Sequence, residues 1–188
     1  MNQETLKKYA HTLLKYGVNL QEDQTLVISV DVENKDFAVI VTEEAYELGA
    51  KDVVLNWRCS PIARQRLLHA KESVLEKPAN WIPEFYKQYI DDKAAFLSLI
   101  SANPKAIPTD RISLQSRNLN KALSFYHTAI MNSSVTWCVA SVPTVLWADL
   151  LGYKGTDEEK INQLWDTLLK LCRIEGVEPK DTYRHHMA

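Results

Sequence analysis

The chain has 188 residues, 46% of them hydrophobic and 24% charged, the balance of an ordinary globular protein and not of a disordered, collagen-like or disulfide-stapled one. Lys and Arg number 22 against 24 Asp and Glu, for a net charge of −2, so there is no broad positive field to bind nucleic acid. Only five glycines are present, where average usage of about 7% would give about 13, which argues against Gly-rich phosphate loops.

Apolar residues at Leu6, Tyr9, Ala10, Leu13 and Leu14 follow helical spacing, with Gly17 placed for a left-handed C-terminal cap. Thr25 to Val30 reads as a strand buried on both faces. Asn34 is placed to cap a helix carrying Phe37, Ala38, Ile40, Val41, Ala45 and Leu48, ended by Gly49. A second strand follows at Asp52 to Trp57. Ser60 reads as an N-cap with Pro61 at the first helical position, opening a helix that reaches about Ala70. A polar stretch runs to Pro78, and Trp81, Ile82, Phe85, Tyr86 and Tyr89 then recur at helical spacing, with Pro83 near the start. Ala94 to Ile100 is the third strand. Thr109 or Asp110 caps one long helix through Ile130, and Val135 to Val142 is the fourth strand. Pro143 and Thr144 lead into a short helix with Leu146, Trp147 and Leu150. Thr156 and Glu159 form a capping box for a helix with Ile161, Leu164, Trp165, Leu168 and Leu169 on one face. Pro179 opens a further helix. Strands alternating with helices define an α/β fold, a doubly wound, predominantly parallel sheet of about four or five strands with helices on both faces.

In such sheets ligands gather beyond the carboxyl ends of the strands. The polar candidates there are Asp31, Glu33, Arg58, Ser101, Asn103, Ser141 and Thr144. Each also has a plain structural reading, as a turn acid, a surface charge or a helix cap. The first turn, Asp31 to Lys35, has no Gly and carries two acids where a phosphate would approach, which disfavours a dinucleotide. A phospho-acceptor site would need clustered Asp residues, and only Asp31 is suitably placed. The five histidines, His11, His69, His127, His185 and His186, show no metalloprotease spacing, and no C-x-x-C or G-x-S-x-G occurs. The five tryptophans read as core or interface packing. Cys59, Cys138 and Cys172 read as reduced, semi-buried thiols. No signal peptide or membrane-spanning run is recognised, so the expected location is cytoplasmic.

Several segments, taken in order, resemble the N-terminal domain of the thermophilic-type metalloaminopeptidases, the family of aminopeptidases T, S and II. They are Leu6 to Leu20, Val27 to Ser29, Asp36 to Ala38, and Glu44 to Tyr46 with Gly49 to Val53. The most distinctive is Val135 to Ala140, followed by Pro143-Thr144 and Trp147-Ala148; Leu164-Trp165 and the Arg173 to Gly176 turn also match. The resemblance implies an α/β N-terminal domain over 1–178, and at 179–188 the start of a helix leading to a C-terminal catalytic domain absent from this chain. It implies a peptide substrate, a homodimer, and a pair of divalent metal ions (zinc, cobalt or manganese) bound by that second half, where they polarise the scissile carbonyl and supply hydroxide. No catalytic, cofactor-binding or metal residue carries over to this chain, which is expected to be inactive alone. A free-standing α/β small-ligand-binding or protein-interaction module is the alternative. The apolar weight of Trp165, Leu168 and Leu169 adds the expectation that the last helix exposes surface and self-associates.

Overall fold

The computed structural model describes residues 2–101 and 109–174. Its sheet comprises β1 (Thr25–Asp31), β2 (Asp52–Arg58), β3 (Ala95–Ile100) and β4 (Trp137–Ser141), all parallel, in the order β2-β1-β3-β4. Parallel neighbours need helical crossovers. These are α2 (Lys35–Glu47) between β1 and β2, α3 (Ser60–His69), α4 (Glu72–Glu76) and α5 (Trp81–Asp91) between β2 and β3, and α6 (Thr109–Ala122) and α7 (Ser124–Met131) between β3 and β4. The chain enters through α1 (Gln3–Thr12), and α8 (Val145–Leu150) and α9 (Asp157–Leu171) follow the sheet.

Strand alternation sorts the core onto two faces. Leu26, Ile28 and Val30 of β1, with Leu97 and Leu99 of β3, meet Leu14, Phe37, Val41, Trp165 and Leu169 on one side. There the rings of Tyr9, Phe37 and Trp165 pack with centroids 5.2 to 5.8 Å apart. Val27 and Phe96 point the other way, toward Phe85, Tyr86 and Tyr89 of α5 and Tyr126 and Ala129 of α7. Helices therefore cover both faces, as the doubly wound reading requires.

The two outer strands depart from the buried pattern. Trp57 and Val139 are about half exposed, and Trp137 is exposed as well, because β2 and β4 each have a sheet neighbour on one side only. Trp81 is exposed too, so Trp165 is the one tryptophan of the five in the main core.

Gly17 is not the left-handed cap. α1 widens into a π turn (Leu13–Gly17), and the left-handed residue is Asn19, at φ 52°. Gly17 instead permits close approach: a Cβ there would stand 2.8 Å from Cys138 Sγ. Gly49 does end α2 with φ 88°. Asn34 occupies the position before α2, yet its side chain makes no cap bond; Asp31 caps the preceding 3-10 turn (Val32–Asn34) instead. Cys59 replaces Ser60 as the residue before α3, because Ser60 turns its hydroxyl to Asp31. The polar stretch before Pro78 contains α4, which encloses buried Leu75.

The long helix expected after the third strand is two. Leu123, at φ −102° and ψ 18°, separates them, so that α6 packs beside α4 and α3 while α7 turns to the sheet. Arg111 of α6 donates to the carbonyls of Leu67 and Ala70 at the end of α3. The fourth strand is shorter than read, but Val142 still donates its N–H to the Ile100 carbonyl at 2.8 Å. Thr156 and Glu159 close the capping box of α9. Trp165, Leu168 and Leu169 are buried within this chain, which removes the motive for self-association through α9. The helix read from Pro179 lies outside the described residues.

Candidate functional site

The chain leaves β1 toward β2 on one side, whereas β3 lies on the other. The connections leaving the carboxyl ends of β1 and β3 therefore run in opposite directions, which is where α/β sheets open a crevice. A cavity of about 540 Å³ lies there, with residues at or beyond the end of every strand on its wall: Asp31 and Glu33, then Ser60 and Arg64, then Ser101, then Thr144. This volume is within the range of small-ligand sites.

Asp31 organises the rim. Its side chain is 7% exposed. Its Oδ2 accepts from the Ser60 backbone N–H at 3.0 Å and from the Ser60 hydroxyl at 2.6 Å, while Oδ1 accepts from Glu33 N–H at 3.3 Å. The carboxylate thus ties the end of β1 to the start of α3. Thr144 caps α8 by accepting from Trp147 N–H at 3.4 Å. Asp149, on the next turn of the wall, pairs with Lys160 at 2.7 Å, and this contact raises the Lys160 pKa.

Two donors are left over. Among the described residues, Asn34 Nδ2 and Arg64 Nε are buried without a hydrogen-bond partner, and both residues line the cavity. Unpaired buried donors are costly, about 1–3 kcal/mol each. Arg64 also makes no ion pair among the described residues, and neither does Glu33 across the same cavity.

Of the sequence candidates, Asp31, Glu33, Ser101 and Thr144 meet at this cavity. Arg58 does not: its guanidinium donates to the carbonyls of Ser29 at 3.2 Å and Leu99 at 2.7 Å, bracing the sheet end. Ser141 lines a separate cleft, and Asn103 lies outside the described residues. Sequence reasoning missed Asn34, Ser60, Arg64 and Asp149 as wall residues. Arg64 was signalled only by lying one helical turn after Ser60.

The separate cleft, about 570 Å³, lies between α1, the π turn and β4, with Tyr9, Tyr16, Cys138 and Cys172 on its walls. Burial raises the pKa of both thiols and of the Tyr9 phenol, and Tyr9 donates to the Ser141 carbonyl at 3.2 Å. A protonated thiol is a poor nucleophile, so this cleft has no activated group.

Among the described residues no three His, Cys, Asp or Glu side chains are grouped to hold a metal ion. Asp31 is engaged by Ser60 and Asp149 by Lys160. His11 Nδ1 lies 2.6 Å from Glu44 Oε1, a two-residue contact. These donor sets do not fit a two-metal centre. No helix among them is long and apolar enough to cross a membrane.

The parallel sheet with helices on both faces defines a doubly wound α/β domain. Comparison with known proteins is more specific. The chain matches the thermophilic metalloprotease (M29) family over residues 2–188, and it belongs to that family. It is 30% identical over 187 residues to aminopeptidase PepS of Streptococcus thermophilus, covering 97% of this chain and 45% of that protein. Aminopeptidase 2 of Geobacillus stearothermophilus is 31% identical over 187 residues, covering 98% and 45%. The structure of wild-type AmpT from Thermus thermophilus superposes with a TM-score of 0.80 at 24% identity, over 88% of this chain and 42% of that one. The chain spans about half the length of the relatives it matches.

Proposed function

We propose that this chain serves as the N-terminal, non-catalytic portion of a metal-dependent aminopeptidase that releases N-terminal residues from peptides. The observation that carries the reading is the family match across residues 2–188, together with relatives that are named aminopeptidases and are about twice as long. In this reading the strand-end cavity is part of the wall of a substrate chamber. A pair of divalent ions, zinc, cobalt or manganese, belongs to the other half, and the whole enzyme works as a cytoplasmic homodimer on peptides.

The purified chain should then hydrolyse no aminoacyl-p-nitroanilide with zinc, cobalt or manganese added, whereas a longer protein carrying the family's other half should. Turnover by the 188 residues alone would overturn the division of labour. A free-standing small-ligand module is favoured by a separate observation, the unpaired donors of Asn34 and Arg64 in one cavity. The downstream coding sequence separates the two readings: a frame ending at Ala188 supports the module, and one continuing for a second domain supports the peptidase.

A further inference from the structure

We infer that the free edge of β4 pairs with the same edge of a second copy of this chain, antiparallel about a two-fold axis at Val139, joining two four-stranded sheets into one continuous sheet. The Thr136 carbonyl accepts from the Phe96 N–H at 2.9 Å, and the Val142 N–H donates to the Ile100 carbonyl at 2.8 Å. The even-numbered residues of this stretch therefore face β3, and the N–H and C=O groups of Trp137, Val139 and Ser141 point away from the sheet. Among the described residues, the Ser141 carbonyl alone of these groups finds a partner, the Tyr9 hydroxyl. The cleft beside α1 and the π turn has Val139 and Ser141 on its wall, so the backbone edge lies open there.

An open edge is a template for another strand, and folded proteins usually blunt it with charge, proline or a bulge. Val135 to Val142 has no charged residue and no proline, and its register with β3 runs unbroken from Trp137 to Ser141. The other edge is guarded. β2 begins on Asp52 and ends on Arg58, and its Val53 N–H donates to Asp52 Oδ1 at 2.8 Å and to Tyr46 Oη at 3.3 Å. The occupant of the open edge follows from the pattern of β4 itself. About an axis at Val139, Val139 meets the partner's Val139 and Trp137 meets the partner's Ser141, each as a hydrogen-bonded pair. A charged residue on that axis would face its own charge; here valine faces valine. The Ser141 carbonyl has a second lone pair to give. The exposed side chains of Trp137 and Val139 share a sheet face with Ile100, which is also exposed, and pairing brings both copies of this apolar group together. That self-complementarity is what a two-fold interface requires.

This pairing concerns the chain's own edge and does not rest on the peptidase reading. The test is sedimentation equilibrium of the 188-residue protein over about 5 to 500 μM, together with backbone amide exchange. A reversible dimer is expected, with protection of the Trp137, Val139 and Ser141 amides that grows with concentration. Val139 is half-exposed, so Val139→Lys and Val139→Glu should keep the fold, which circular dichroism checks. Each sets like charges on the axis and should weaken self-association by at least about tenfold. An equimolar mixture of the two sets Lys against Glu and should restore association to within about threefold of the unsubstituted chain.

Trp137→Ala, which removes the largest exposed side chain of the edge, should weaken the dimer by about tenfold and keeps the test valid if a Val139 variant misfolds. Trp57→Lys, on the guarded edge, should leave it unchanged. A monomer throughout the concentration range overturns the inference. So does a dimer that survives the folded Val139 and Trp137 variants, which would leave a homodimer standing on another surface. Failure of the Lys and Glu variants to associate when mixed, or an equal loss in Trp57→Lys, overturns it as well. None of these outcomes bears on the aminoacyl-p-nitroanilide test of the peptidase reading.

Discussion

Gly17→Ala should destabilise the protein through one contact, and the structure says which. Gly17 lies at the end of the π turn with a backbone that an alanine can adopt. Its added Cβ would stand 2.8 Å from Cys138 Sγ and 3.4 Å from Cys138 Cβ, with the Thr12 carbonyl oxygen at 3.9 Å. The sulfur contact is about 0.7 to 1.2 Å inside ordinary van der Waals separation. Forcing a methyl into such a space costs about 1–3 kcal/mol, while replacing Gly at a compatible position returns about 0.4–1 kcal/mol through the unfolded chain. The net loss is about 1.5 kcal/mol, or about 3–6 °C in Tm for a chain of this size. In a Cys138→Ala background the sulfur is gone and the remaining 3.4 Å contact is tolerable. There Gly17→Ala should be neutral or stabilising by about 0.5 kcal/mol, a coupling near 2 kcal/mol. Urea unfolding of the four proteins, followed by tryptophan fluorescence, measures the cycle. An equal penalty in both backgrounds, or none in either, would refute the steric account.

Three further outcomes follow from the core, the last helix and the buried thiols. Trp165→Ala removes the ring that joins α9 to Tyr9 and Phe37 and should cost about 3–5 kcal/mol in urea unfolding; a loss under about 1 kcal/mol would mean that α9 is not integral to the core. Thr156→Ala dismantles the capping box and should cost about 0.5–2 kcal/mol, with faster amide exchange confined to the start of α9. The Cys138 and Cys172 thiols are raised in pKa by burial, so the unfolded chain releases these protons first. Their contribution is full below the ordinary thiol value of about 8.5 and is lost as pH rises through the folded-state values. Tm should therefore fall above about pH 8.5, less steeply in Cys138→Ala; an unchanged slope would exclude this thiol as a cause.

Much of the architecture was legible in local sequence because the signals are local. β-branched runs made β1 and β3, Thr156 and Glu159 made a reciprocal cap, and Gly49 ended its helix. The resemblance carried on Val135 to Ala140 and Pro143-Thr144 led to the right family. Other assignments failed where a distant residue changed a local role. Ser60 reads as a cap by sequence, yet Asp31, twenty-nine residues earlier, takes its hydroxyl. Gly17 reads as a left-handed stop, yet Cys138 on β4 explains it. The helix after β3 breaks at Leu123 because its two halves pack on different neighbours.

Alternation of apolar runs and helical faces determined a parallel α/β sheet, since burial periodicity is written along the chain. Tertiary structure alone decided the order β2-β1-β3-β4 and hence where the connections leaving the strands run apart. It also decided that Asn34 and Arg64 share one cavity, each with a donor left unpaired among the described residues. The reason is that a hydrogen-bond partner is a matter of spatial neighbours, and no spacing within a single segment records which distant group is left without one.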